Sequence, residues 1–119
     1  MRESIIVLIK QPKAWPIIKT VPNNLKVFRS IVGGPLEIVT VRNNTVLVCN
    51  EEARSLSTFR RKKNFAISVD KNVIDNIYGT VIVCSQEGEE YDDLGTDNLL
   101  DIFDSLCQDE PYVEVKFKK

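Results

Sequence analysis

Ile5-Ile6-Val7-Leu8-Ile9 constrains the fold of this chain more than any other segment. Alternate residues of a strand point to opposite faces, so five consecutive apolar residues give a strand that is apolar on both. The run is too short for a helix and is stopped by Gln11-Pro12, which predicts a central strand. Trp15-Pro16-Ile17-Ile18 resumes extended character, because the residue before a proline is pushed toward β geometry, and it is placed to form a hairpin with the first strand. Leu36, Ile38, Val39 and Val41 lead into Arg42-Asn43-Asn44-Thr45 and then Val46-Leu47-Val48-Cys49, the clearest hairpin in the sequence. Phe65, Ile67 and Val69 alternate, Tyr78 to Cys84 reads as a further buried strand, and Val113, Val115 and Phe117 alternate as an edge strand.

Two segments change to helical spacing. Leu25, Phe28, Ile31 and Val32 recur at three and four, with Asn24 as the cap and Gly33 as the terminator. Leu99, Leu100, Phe103, Leu106 and Cys107 fall on one stripe behind a cap at Gly95 or Thr96. Residues 50–64 read as an exposed connection with a possible helical turn through Ala53, Leu56 and Phe59, and Gln86 to Gly95 as a solvated loop. The expected fold is therefore α+β: a mostly antiparallel twisted sheet of about six strands, covered on one face by two helices. With 119 residues and no linker or repeat, the chain reads as a single domain over 1–119. Burying a Leu or Phe is worth roughly 1.5–3 kcal/mol, so both helices must dock on the sheet to persist.

A net charge of −1 conceals segregation. Residues 1–83 carry 13 basic and 6 acidic side chains, whereas residues 84–110 carry ten acidic ones and neither Lys nor Arg. These regions either attract each other within the fold or present a charged surface to a partner. The sequence contains no histidine, which removes the histidine-based hydrolase mechanisms and the commonest metal ligand. Cys49, Cys84 and Cys107 are an odd, widely spaced set with no CxxC pair, which fits buried thiols in a reducing cytoplasm. The N-terminal apolar run is five residues long, short of a signal peptide or a membrane helix.

Several polar positions are candidates for binding. Arg60, Arg61, Lys62 and Lys63 form a cationic run flanked by Phe59 and Phe65 and followed by Asn64, suited to phosphate, although a solvated loop has the same composition. Glu37 interrupts an apolar strand, so it either faces water or holds a partner such as Arg42, Arg54 or a ligand. Asn50-Glu51-Glu52 at a strand end is a candidate ligand or acid-base cluster, against the plainer reading of a side-chain-stabilised turn. Gly33-Gly34 follows a helix and lacks the Walker lysine, which favours a cap over a phosphate loop. Asp92, Asp93, Asp97 and Asp101 lack EF-hand spacing, so neither a metal nor another cofactor is expected. Glu89, Glu90, Asp92, Asp93 and Asp97 instead form a candidate protein-binding surface.

The segments Ile31-Val32-Gly33-Gly34-Pro35-Leu36-Glu37-Ile38-Val39, Val46-Leu47-Val48-Cys49-Asn50-Glu51-Glu52 and Ile77-Tyr78-Gly79-Thr80-Val81-Ile82-Val83 together resemble an uncharacterised domain-of-unknown-function family. Its members are small proteins of phages, mobile elements and Gram-positive bacteria, and the resemblance spans roughly residues 5–95, leaving the acidic helix and final strand of 96–119 outside it. Pro35 stands where the family commonly has an aromatic, and Phe59 to Asn64 replaces a compact Pro-x-Asn-Arg element. The resemblance implies a small cytoplasmic accessory protein of phage or mobile-element origin. Joined to the missing catalytic constellation, it suggests a non-enzymatic binding protein that counters host defence. Such a protein would sequester a nucleotide-like signal through Arg60, Arg61, Lys62, Asn64, Asn50 and Glu37, or occupy a defence protein through the acidic segment. The alternatives are an enzyme using Glu37, Glu51 or Glu52, or a nucleic-acid-associated accessory protein, for which the pI of about 5.5 is unfavourable. The final strand offers an edge for a homodimer.

Overall fold

The computed structural model describes residues 2–55 and 62–117. The first apolar run forms β1 (Ser4–Lys10), which lies inside a sheet, paired with β2 (Ile17–Pro22) on one side and β7 (Val81–Glu87) on the other. The hairpin of β3 (Leu36–Arg42) and β4 (Thr45–Asn50) completes the strand order β2-β1-β7-β4-β3, with every pair antiparallel. A short β8 (Glu90–Asp92) adds to the far end of β7. Helix α1 (Leu25–Val32) is capped as its sequence predicts: the Asn24 side chain accepts a hydrogen bond from the Val27 amide, and Gly33 ends it at φ 86°.

The large sheet has the six strands expected, and a second, smaller sheet accompanies it. β5 (Lys63–Val69) pairs antiparallel with β6 (Asn72–Tyr78) and parallel with β9 (Tyr112–Glu114), giving a second sheet ordered β6-β5-β9. β6 escaped the sequence because Asn72, Asp75 and Asn76 interrupt its alternation, and the preceding turn at Asp70-Lys71 has no glycine. Tyr78 therefore ends β6, Gly79 reverses the chain at φ 77°, and β7 starts afresh at Val81. The acidic loop is likewise partly ordered as the β7–β8 hairpin, turning at Gly88 with φ 63°.

The large sheet is covered on both faces, not one. Ile5, Val7 and Ile9 share a core with Val46, Val48, Ile82, Cys84 and the α1 residues Phe28 and Val32. On the other face Leu8, Leu47, Val81 and Val83 meet Phe65, Ile67 and Ile77 of the small sheet, Val113 of β9, and Ile102 and Leu106 of α2 (Thr96–Leu106). In α2, Ile102 is the residue at the core while Leu100, expected there, is 58% exposed. β9 is the edge strand expected, though only three residues long. The chain beyond it ties the sheets together, since the Val115 amide donates to the Ser68 carbonyl and the Lys116 amide to that of Val41. Ala53–Ser55 form a single 3-10 turn, while Leu56 and Phe59 of the expected helical turn lie outside the described residues.

Candidate functional site

Glu37, Asn50 and Glu51 come together, but at a joint of the fold. Asn50 donates to the Val32 carbonyl at the end of α1 and accepts from the Glu52 amide, so both ends of its side chain serve backbone. The Glu51 amide donates to the Pro35 carbonyl. Gly34 makes room for this clasp: a Cβ there would lie 2.8 Å from the Asn50 side-chain oxygen. Glu37 is exposed and faces water. Its carboxylate adds to the effect of burial in raising the Cys49 thiol to about 12, with Arg54 opposing. Arg54 itself pairs with Asp75 at 2.9 Å. The hollow beside these groups measures about 50 Å³, room for little more than a water or two.

The large concavity lies elsewhere, on the outward face of the small sheet. Phe65 and Ile67 point into the core, so the pleat turns Asn64, Ala66 and Ser68 outward. Register adds Asn76 and Val73 from β6 and Tyr112 and Glu114 from β9 to the same face. Although they face outward, Asn64, Ala66 and Ser68 are 4–8% exposed, because these small residues are the floor of a trough with taller walls. The cavity is about 1200 Å³, and its floor from Asn64 to Ser68 is about 13 Å long at ~3.3 Å per residue.

The two ends of the trough differ in chemistry. At one end Lys10, the last residue of β1, is 2% exposed, and its ammonium donates to the Gln11 carbonyl at 2.8 Å and to the Asn64 side-chain oxygen at 3.0 Å. The Asn64 amide nitrogen in turn donates to the carbonyls of Lys10 and Gly79, both at 2.7 Å. Burial lowers the Lys10 pKa, with the nearby Cys107 acting weakly the other way. Lys13, Trp15 and Lys63 line the same cavity. Lys13 has φ 60°, an uncommon conformation for a residue with a Cβ, and Trp15 is 68% exposed. At the other end Arg42 is 7% exposed and already neutralised: it meets Asp101 at 2.7 Å and donates to the Asn98 side chain and the Glu114 carbonyl. Its Nε and the Oδ1 of Asn76 are buried without a hydrogen-bond partner among the described residues. Ser68 Oγ donates to Glu114 at 2.6 Å, the first cause of that carboxyl's lowered pKa. Among the described residues no three Cys, Asp or Glu side chains converge to hold a metal ion.

A family model described as a domain of unknown function, DUF3846, matches residues 1–106. The chain belongs to this family. Searches of curated proteins and of solved structures found no match. The DUF3846 span runs to the last residue of α2, beyond residues 5–95, and so takes in the acidic helix. It ends before Gln108, Pro111, Tyr112, Glu114 and Lys116, which build one wall of the trough in this DUF3846 chain.

The structure divides the residues singled out by sequence. Lys63 and Asn64 line the trough and Lys62 is exposed outside its lining, whereas Glu37 and Asn50 belong to the clasp. Arg60 and Arg61 lie outside the described residues. In the acidic segment, Arg2 pairs with Asp92 at 3.2 Å and with Asp93 at 3.0 Å, and Asp93 also accepts from the Ile6 amide. Asp101 pairs with Arg42 and Lys116. The segregated charges therefore meet, in part, inside the fold. Glu89, Glu90 and Asp97 remain exposed. Sequence reasoning passed over Lys10 and Trp15. The available clue was Lys10 itself, a charged residue continuing a strand whose preceding five residues are all apolar. Among the described residues no helix is long and apolar enough to cross a membrane.

Proposed function

We propose that this protein is a non-enzymatic binding module that holds a nucleotide-like small molecule in the trough of the small sheet. The observation that carries this reading is the trough itself. Its polar, recessed floor is walled by six cationic side chains, and exposed Trp15 and Tyr112 are available for ring stacking. Five carboxylates line the same cavity, which favours a ligand with both anionic and hydrogen-bond-donating parts over a bare polyanion such as DNA. The wider role in this reading is that of a cytoplasmic protein of a phage or mobile element that sequesters a defence signal. Calorimetry against linear, cyclic and ADP-ribose-derived nucleotides tests it: saturable binding of one class, weakened by Tyr112→Ala, is expected, and no heat across the whole panel removes the reading.

A second reading, occupation of a defence protein, is favoured by one observation: Glu89, Glu90 and Asp97 are exposed and unpaired among the described residues. Reversing those three charges should then abolish a pull-down from host lysate while leaving the fold intact.

A further inference from the structure

Lys10 is the least expected group in the molecule. It is 2% exposed, and no carboxylate lies within ion-pair distance of it among the described residues. Burying a charge without a counter-charge is unfavourable, and proteins avoid it where a neutral residue would serve. The ammonium has three donors, of which Gln11 and Asn64 accept two. The third has no acceptor among the described residues, and the side chain lines the trough. Asn64 has no donor left for an anion: its oxygen receives Lys10 and both hydrogens of its nitrogen go to the Lys10 and Gly79 carbonyls. It is thus a positioning residue that fixes the ammonium, and not itself a contact for a ligand.

Two further cations line the same cavity from different elements: Lys13 stands on the β1–β2 turn and Lys63 opens β5. The positive φ of Lys13 belongs to the Gln11–Ala14 turn, closed by the Ala14 amide donating to the Gln11 carbonyl. The Arg42 end offers no such vacancy of charge, because Asp101 already occupies its guanidinium at 2.7 Å.

We propose that Lys10, fixed by Asn64 and flanked by Lys13 and Lys63, is the seat for a phosphate or diphosphate group, and that it sets the direction of the ligand in the trough. The phosphate end lies at the Asn64 end of the floor. The remainder of the ligand runs over Ala66 toward Ser68 and Glu114, where acceptor groups meet its hydrogen-bond donors. Three compact ammonium charges suit a multiply charged phosphoanion better than a single carboxylate. Asp109 and Glu110 on the segment after α2 also line the cavity, and their repulsion of an anion is what the three ammonium groups must outweigh.

This seat rests on the trough being the binding site, but its test uses inorganic pyrophosphate and so does not depend on which nucleotide binds. Wild-type protein titrated with pyrophosphate and followed by amide NMR should show saturable shifts at Gln11, Lys13 and the Asn64 side-chain amide. Shifts that never saturate, or that gather at Arg42 and Lys116, overturn the proposal. Lys10→Met should weaken pyrophosphate binding at least about tenfold, while Lys26→Met on α1, outside the trough, leaves it unchanged. Equal affinity in Lys10→Met and wild type also overturns it, and because the NMR map uses the unaltered protein, a variant that fails to fold does not shelter it. Nucleotide binding without a pyrophosphate seat would leave the module standing and remove only this inference. Pyrophosphate at Lys10 with no nucleotide binding would do the reverse.

Discussion

Asp70 and Lys71 make the two-residue turn between β5 and β6, and both hold positive φ, 49° and 68°. That is the signature of a type I′ turn, in which glycine at the second position is favoured and a side chain is strained. Lys71→Gly should therefore stabilise the protein by about 1 kcal/mol, or about 4 °C in Tm. The change keeps the Lys71 amide that donates to Glu114, and a lowered Tm would refute the strain argument. The thiols make a second case at this scale. Burial pushes Cys84 to about 12, and burial with the Glu37 charge does the same for Cys49, while Cys107 at the end of α2 is half-buried. Thiolate is the reactive form, so a disulfide reagent should modify one of the three thiols quickly in native protein and all three after unfolding. Two fast thiols in the native state would contradict the packing described.

The junction of α1, β3 and β4 shows why the VGG and CNEE segments go together. Gly33 ends the helix in the left-handed region, Gly34 leaves the space, and Asn50 fills it while satisfying the helix-end carbonyl of Val32. Gly34→Ala places a methyl group against the Asn50 amide and should destabilise by about 2 kcal/mol, in the range of overpacking. Asn50→Ala orphans the Val32 carbonyl and should destabilise by about 1–3 kcal/mol. The two should be strongly non-additive in urea unfolding, since without the Asn50 side chain the new methyl has nothing to strike. Simple additivity would show that the glycine has some other purpose. The candidate ligand residue Asn50 thus serves to join three elements.

At the scale of the whole molecule, the two sheets are held together by the shared core and by polar links at the edge of the trough. Burial by itself would raise the Asp101 carboxyl, but hydrogen bonding and charge from Arg42, then Lys116, outweigh it and leave the group below its ordinary range. The Ser68 hydrogen bond, opposed by burial and helped by the Lys71 and Asp70 amides, lowers Glu114 likewise. A carboxyl held lower in the folded than in the unfolded state contributes stability that is fully present above the unfolded pKa, about 4. That contribution is lost as pH falls through the folded values. Stability should therefore drop below about pH 4, and Asp101→Asn combined with Glu114→Gln should flatten the drop. An unchanged acid limb in the double variant would remove these links from the account.

Local chemistry was decisive wherever neighbours in sequence are neighbours in space. The interior strand β1, the Asn24 and Gly33 caps, the β3–β4 hairpin and the α+β class all follow from residue order. Periodicity and turn preference act over a few residues, and nothing in the tertiary fold overrode them there. The two-sheet arrangement followed instead from a glycine-free turn and a polar strand, β6, whose burial comes only from its partners. The trough is a tertiary product throughout: Lys10 meets Asn64 across 54 residues, and Ser68 meets Glu114 across 46. Alternation could reveal that Asn64, Ala66 and Ser68 share a face, but whether that face is a solvated surface or the floor of a cavity depends on walls supplied by β1, β6, α2 and β9. Side-chain height and long-range register decide that, and no short window of sequence contains them.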